Sequence, residues 1–245
     1  MSSAPLLAVR DLSKDFGRMR VVSSVSFEVR EGELVGVIGP NGAGKTTLFA
    51  MLSGFLAPSA GEILFQGRSL AGLRPDQRCH LGIARTFQVV RPFAAMTVEE
   101  NVRAAALFGK REVRSPAQVA REVDEILAVT GLAPAAGQPA RALSLPQRKR
   151  LEVARTLATR PRLLLLDEVL AGLNPSAVEE AIPFLRSLNA ERGITLLLIE
   201  HNLRAVMGLS QRILVLNFGE LIFDGTPQGA VADPEVVRAY LGEAA

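Results

Sequence analysis

The pattern of hydrophobic and polar residues is typical of strands near the two ends of this chain and of helices in its middle. The odd-numbered residues from Val25 to Val29 are apolar and the even-numbered ones are polar, which is the period of a half-buried strand. A second short alternation, residues 63–65, lies between two glycines. These patterns predict a β-rich amino-terminal region.

Short, almost wholly apolar runs indicate strands that are buried on both faces. They cover residues 34–38, 163–166 and 194–199. After Arg162 such runs alternate with helix-compatible segments, as in a parallel sheet covered by helices. We therefore predict an α/β core.

The middle of the chain has helical spacing instead. Residues 118–129 form one such stretch between Pro116 and Gly131, and the apolar residues of 151–158 recur at helical intervals behind a start at Pro146 or Gln147. We expect one domain, 1–245, in which residues 1–88 and 161–245 form a β lobe and a core, and residues 89–160 form a helical subdomain.

Bulk properties narrow the class of protein. The 245 residues suit one domain, and no apolar run approaches the roughly 20 residues that a bilayer-spanning helix needs. The amino terminus does not resemble a secretory signal, and the single cysteine, Cys79, fits a reducing compartment. The net charge of +3 is unclustered, so we expect no nucleic-acid partner.

A glycine-rich loop carries the strongest chemical signal. It lies between the apolar run 34–38 and a helix-compatible segment, and it matches the phosphate-binding P-loop at every fixed position. Its residues are Gly39, Pro40, Asn41, Gly42, Ala43, Gly44, Lys45, Thr46 and Thr47. The order of strand, loop and helix predicts that the chain binds a nucleoside triphosphate.

The residue types of this loop explain the prediction. Glycines allow backbone conformations in which successive N–H groups point at phosphate oxygens, and the start of a helix favours anions. Lys45 supplies a cation for the β- and γ-phosphates, and the Thr46 hydroxyl is placed to ligate Mg²⁺. We therefore expect ATP and Mg²⁺ as ligands.

Polar residues follow two of the later apolar runs. Asp167 and Glu168 close the run 163–166, and His201 follows the run 194–199. Parallel strands present their carboxyl ends at one edge of the sheet, where ligands bind. We expect Asp167 to ligate Mg²⁺, Glu168 to activate water, and His201 to contact the γ-phosphate.

Two further segments are candidates for the same site. Gln88, where the core passes into the helical region, could contact Mg²⁺ or the water, although a plain surface glutamine explains it equally well. The segment 143–147 contains Ser144 and Gln147 at the start of a predicted helix, where a phosphate could bind.

Together these motifs, in this order, resemble the ATP-binding cassette (ABC) family over essentially the whole chain. The resemblance implies a RecA-like P-loop core with an antiparallel β lobe and a helical subdomain, and a head-to-tail dimer that encloses two ATP molecules. It assigns Phe16 to stacking on adenine, against the alternative of a strand-end core residue. Asn174 replaces the usual aspartate of the D-loop.

A closer resemblance is to the larger ATPase subunit of bacterial branched-chain amino acid importers. It rests on residues 83–88, 167–175, 199–201 and the tail at 224–242. It implies a second ATPase subunit, membrane permeases and, indirectly, a periplasmic binding protein as partners, and a cytoplasmic location on the inner face of the plasma membrane. We expect residues 91–93 to contact the permease.

One departure from the family concerns the segment 143–147, which has Leu145 and Pro146 where glycines are usual. Pro146 has no N–H to donate to the partner's nucleotide, although proline is well tolerated in a first helical turn. Other readings stay open: import of amides or urea, export of lipid or lipopolysaccharide, an ABC protein without a permease, and a module that binds nucleotide but barely hydrolyses it.

Overall fold

The computed structural model describes residues 4–87, 91–109 and 114–241. Within them, ten strands form two sheets. The strands are β1 (Leu7–Phe16), β2 (Met19–Val29), β3 (Leu34–Ile38), β4 (Ala60–Phe65), β5 (Arg68–Ser69), β6 (Ile83–Arg85), β7 (Leu163–Asp167), β8 (Thr195–Ile199), β9 (Arg212–Asn217) and β10 (Glu220–Gly225).

The described residues also form nine α-helices and two short 3₁₀ helices. The α-helices are α1 (Lys45–Leu52), α2 (Pro75–Leu81), α3 (Val98–Phe108), α4 (Pro116–Val129), α5 (Leu145–Leu157), α6 (Pro175–Ala190), α7 (Leu203–Leu209), α8 (Pro227–Ala232) and α9 (Pro234–Leu241). The 3₁₀ helices are Ala133–Ala135 and Ala140–Ala142.

The larger sheet has the order β10-β9-β3-β8-β7-β6. Its strands are parallel except β10, which pairs antiparallel with β9. The smaller sheet, β2-β1-β4-β5, is antiparallel. This confirms the predicted α/β fold with an antiparallel β lobe.

The alternation of side chains along the central strands divides the core between the two faces of the larger sheet. In β7, Leu163 and Leu165 join the cluster formed with α1 and the antiparallel sheet, whereas Leu164 and Leu166 join the cluster formed with α3 to α7. A strand buried on both faces must be apolar at every position. This explains the unbroken leucine run.

Side-chain caps fix where several helices begin. In α3, Thr97 accepts a hydrogen bond from the Glu100 N–H at 3.1 Å, and Glu100 accepts one from the Thr97 N–H at 2.7 Å. Such a reciprocal pair satisfies two of the donors that a helix start leaves open. The helix α5 begins at Leu145, one residue before the predicted start, because Ser144 is its cap.

Candidate functional site

The P-loop connects β3 to α1 with a backbone course that only glycine can follow. Gly39, Gly42 and Gly44 have φ values of 150°, 82° and 97°. A Cβ atom on Gly39 would lie 2.0 Å from the Leu216 carbonyl oxygen, and one on Gly44 would lie 2.7 Å from the Val21 carbonyl oxygen. The three predicted glycines are therefore required by conformation, and two of them also by space.

The loop lines a cavity of about 710 Å³ through residues 40–43. The opposite wall comes from the turn after β9 and from α9, which contributes Glu235 and Arg238. Thr46 and Thr47 are the second and third residues of α1. Their positions agree with the expected start of a helix at an anion site.

Lys45 is buried and held by the loop that precedes it. Its ammonium donates hydrogen bonds to the carbonyl oxygens of Gly39, at 2.7 Å, and Pro40, at 2.9 Å. Burial lowers the pKa of Lys45, and the negative charge of Glu168 partly opposes this shift. The charges of Lys45 and Glu168 are therefore close enough to interact.

Asp167 ends β7 and is almost fully buried, with 2% of its side chain exposed. Its Oδ2 atom accepts a hydrogen bond from Arg85 Nη2 at 2.7 Å. Its Oδ1 atom is buried and has no hydrogen-bond partner among the residues that the structure describes. A carboxylate oxygen left open in this way fits a ligand of Mg²⁺, which prefers oxygen.

Glu168 and His201 meet across neighbouring strands. The register of β7 with β8 pairs Asp167 with Ile199, so the residues that follow each strand emerge side by side. His201 Nε2 lies 2.8 Å from Glu168 Oε1, and the carboxylate oxygen accepts this hydrogen bond. Two polar residues predicted from separate strand ends are thus in direct contact.

Glu200, between this pair and β8, was not predicted as part of the site. It is 3% exposed and accepts a hydrogen bond from the Leu170 N–H at 2.6 Å. Burial is the main cause that raises the pKa of Glu200 to about 7. The carboxyl group of Glu200 therefore supports the turn after Glu168 from inside the protein.

The other predicted residues divide into three cases. Phe16, at the end of β1, is 47% exposed and carries the Lys14 ammonium 5.3 Å from its ring centre, so it is not a core residue. Gln88 lies outside the described residues. Ser144 and Gln147 bond each other as the cap of α5: the Ser144 hydroxyl donates to Gln147 Oε1 at 2.9 Å.

Two basic residues that contact Glu168 and Asp167 were not predicted from the sequence. Lys149 Nζ donates to the Glu168 carbonyl oxygen at 2.9 Å, and Arg85 pairs with Asp167. Lys149 lies within a basic run, which usually indicates a solvated face. The signal for Arg85 was a single charge in the short strand β6, beside the acidic end of β7.

In the part of the chain that the structure describes, no group of three or more His, Cys, Asp or Glu side chains could hold a metal by itself. Among the same residues, no helix has the length and apolar character to cross a membrane. Fold and site together define a P-loop nucleoside triphosphatase.

Comparison with known proteins identifies the family within this class. Residues 22–171 match the profile described as ABC transporter, and residues 220–245 match that of the branched-chain amino acid ATP-binding cassette transporter. The chain belongs to the ABC transporter family, and it is an ATP-binding cassette ATPase.

Individual relatives agree with this assignment. LivG of Salmonella typhimurium, a high-affinity branched-chain amino acid transport ATP-binding protein, is 42% identical over 99% of this chain and 100% of its own length. The ADP conformation of the cassette MJ1267 superposes with a TM-score of 0.88 at 31% identity, over 98% of this chain and 100% of that one. A dimeric cassette, MJ0796 with ADP and phosphate, gives 0.80 at 25% identity, over 90% and 98%.

Proposed function

We propose that this chain hydrolyses Mg²⁺-bound ATP with Glu168 and His201, and that it thereby energises import of branched-chain amino acids. The observation that carries the chemical part is the 2.8 Å contact of His201 with Glu168, beside Lys45 and the open Oδ1 atom of Asp167. The substrate class is supported by LivG, which is named for branched-chain amino acid transport, and by the carboxyl-terminal profile match.

In this proposal the P-loop binds the triphosphate. Its backbone N–H groups and the start of α1 receive the phosphate oxygens. Lys45 exchanges the carbonyl oxygens of Gly39 and Pro40 for the β- and γ-phosphates, which are stronger acceptors because they are charged. Phe16, half-exposed at the end of β1, stacks on the adenine, as the family resemblance implies.

Asp167 Oδ1 and the Thr46 hydroxyl are the groups that we assign to Mg²⁺, with Gln88 as a third. When bound, Mg²⁺ neutralises phosphate charge that develops during the reaction. The fit rests on Asp167, whose Oδ2 is already held by Arg85 while Oδ1 is open.

Glu168 activates the attacking water. Its carboxylate accepts a proton from the water as the water oxygen bonds to the γ-phosphorus, and the bond from that phosphorus to the β–γ bridging oxygen breaks to give ADP and phosphate. His201 keeps Glu168 Oε1 in one orientation and can donate to the γ-phosphate in the same site.

Ser144 and Gln147 would complete the site of a second cassette rather than this one. Both are tied into the cap of α5, where they bond each other. We propose a homo- or heterodimer in which this helix start faces the partner's nucleotide. Pro146 would weaken that composite site, since it has no N–H to donate.

A groove of about 310 Å³ between the core and the helices of residues 91–160 is our candidate for the permease contact. The exposed rings of Phe55 and Phe87 line it, and Phe93, from the predicted contact segment 91–93, is 52% exposed and lies under Arg155. Exposed aromatic rings in a groove are typical of a protein-binding site. We also propose residues 89–160 as the helical subdomain.

The remaining parts of the proposal concern the assembly. The partners are a second ATPase subunit, membrane permeases and, through them, a periplasmic binding protein, with no nucleic acid. The location is cytoplasmic, on the inner face of the bacterial plasma membrane. In ABC systems of this kind the ATPase does not contact the cargo, so the amino acid is assigned by similarity to LivG.

Uptake in the source organism tests this function. Deletion of the gene should abolish high-affinity uptake of labelled leucine, isoleucine and valine, and the wild-type gene should restore it. The Lys45→Ala variant should not restore uptake. Unchanged uptake of all three amino acids in the deletion strain would remove the branched-chain assignment, while ATP hydrolysis by the purified protein would still be measured separately.

A further inference from the structure

Arg85 occupies an unusual position at the junction of the catalytic edge and the groove. It is the last residue of β6, next to β7, and only 9% of its side chain is exposed. Its Nη2 atom donates to Asp167 Oδ2 at 2.7 Å, and its Nη1 atom donates to the Ser53 hydroxyl at 3.2 Å. A buried arginine held in this way has little freedom to move without moving its partners.

Thr86, the residue after β6, makes a second contact with Asp167. The Asp167 N–H donates to the Thr86 hydroxyl oxygen at 3.0 Å, and the Thr86 N–H donates to the Leu165 carbonyl oxygen at 2.9 Å. Any displacement of residues 85 and 86 therefore reaches both the backbone and the carboxylate of Asp167.

The other side of Arg85 faces aromatic rings of the groove. Its guanidinium carbon lies 5.7 Å from the centre of the Phe87 ring, a distance typical of a cation–π contact. Phe87 in turn meets Phe55 edge to face, with ring centres 5.3 Å apart. Both rings are largely open, with 42% of Phe87 and 57% of Phe55 exposed.

Arg85 also has a donor left over. Its Nε atom is buried and has no hydrogen-bond partner among the residues that the structure describes. Arg85 itself lines the groove with Phe55 and Phe87. A buried N–H without an acceptor is costly, so a shift of the Arg85 side chain that brought Nε to an acceptor would be favoured.

We propose that Arg85 is a positioning residue that couples the occupant of the aromatic groove to the Asp167 carboxylate. A protein segment seated on Phe55 and Phe87 shifts the guanidinium, and the guanidinium sets the orientation of Asp167. The inference rests on the proposed function, because that function makes Asp167 a ligand of Mg²⁺ and the groove a permease site.

Coupling between two sites is reciprocal, so the path can be tested from the nucleotide side without a permease. The chain contains no tryptophan. A Phe55→Trp substitution therefore places a single fluorophore in the groove, next to Phe87. The experiment follows its emission during titration with ADP and Mg²⁺ and measures nucleotide affinity independently by calorimetry.

We expect the Phe55→Trp protein to change its emission on binding Mg²⁺ and ADP, and to change it less when EDTA replaces Mg²⁺. Adding Arg85→Lys, which keeps the charge but loses the planar fork, should remove most of the emission change. The nucleotide affinity should change much less than the signal.

Arg155→Lys is the matched control. Arg155 lines the same groove and lies 5.2 Å from the Phe93 ring centre. It donates to Glu152 Oε2 and to the Arg91 carbonyl oxygen rather than to Asp167. In the Phe55→Trp protein, the Arg155→Lys substitution should leave the emission change at its full size. Thermal unfolding identifies a misfolded Arg85→Lys protein, and Arg85→Gln then serves as the second variant.

Two results would overturn the inference: a full emission change in a folded Arg85 variant, or no change in the Phe55→Trp protein at saturating Mg²⁺ and ADP. Failure of the transport assignment would leave the emission change intact, since no permease is present. Absence of nucleotide binding by calorimetry would instead contradict the proposed function itself.

Discussion

At the scale of single residues, Glu168 shows how the site is held in an unfavourable conformation. It is not a glycine, yet its φ is 52°, in the left-handed region, which costs about 1–2 kcal/mol for such a residue. Its N–H donates to the Ile199 carbonyl oxygen, and its own carbonyl oxygen accepts from Lys149, both at 2.9 Å. These bonds fix the backbone so that the carboxylate meets His201.

His201→Ala should lower the turnover of ATP by roughly 10- to 10²-fold, because Glu168 loses the imidazole that orients it. Nucleotide affinity should change little, since the P-loop is intact. His201→Gln is the matched control and should recover part of the rate, because its amide can donate to Glu168. Steady-state phosphate release measures both. Wild-type turnover in the alanine variant would contradict the role of His201.

Glu200 predicts a dependence of stability on pH. Its pKa rises in the fold from 4.5 to about 7, mainly because it is buried, so between these values the folded protein retains a proton that the unfolded chain has lost. The contribution of Glu200 to stability is therefore lost as pH rises from about 4.5 to about 7, by about 1.4 kcal/mol per pH unit for an isolated group. Above about pH 7 this contribution no longer changes.

Glu200→Gln stays neutral and can still accept from the Leu170 N–H, so it should lack this contribution. Urea unfolding at pH 5.5 and 7.5 should show the wild type losing more stability than the variant between the two values. A difference between the two proteins that does not change with pH would show that Glu200 titrates normally.

At the scale of elements, the glycines of the P-loop differ in how much space their surroundings leave for a side chain. Gly39→Ala places a Cβ atom 2.0 Å from a backbone oxygen of β9, whereas nothing lies within 4 Å of a Cβ atom on Gly42. Both have positive φ. Gly42→Ala should cost about 1–2 kcal/mol of stability from conformation alone, and Gly39→Ala should cost clearly more. Equal unfolding free energies for the two variants would contradict this account.

The start of α5 carries the departure from the family pattern. Pro146 lies in the first helical turn behind the Ser144 cap, as expected. Pro146→Gly would supply an N–H to a charged phosphate of a partner, worth about 1.5 to 3 kcal/mol in a desolvated site, less the greater freedom of glycine in the unfolded chain.

In a Glu168→Gln background, Pro146→Gly should therefore strengthen ATP-driven dimerisation without changing the affinity of the monomer for nucleotide. Sedimentation velocity with ATP measures the dimer fraction. The same dimerisation constant with proline and with glycine would mean that position 146 serves only as a helix start.

At the scale of the whole molecule, the sequence predicted the strand ends better than the contacts between them. The P-loop, the Asp167–Glu168 turn and His201 follow from local pattern, because buried strands are apolar and their carboxyl ends share an edge. Arg85, Lys149 and Glu200 did not follow, since their roles depend on which strands and helices become neighbours. The role of a charged residue in an apolar strand can be inferred only when the neighbouring strand is known.

The central claim is that one site both binds ATP and cleaves it with Glu168. Nucleotide binding and phosphate release by Glu168→Gln test this most directly, with Lys45→Ala as the control that should lose binding. We predict that Glu168→Gln binds ATP with nearly wild-type affinity and that its rate of phosphate release falls by roughly 10²-fold or more. Phosphate release at the wild-type rate by that variant would contradict the account.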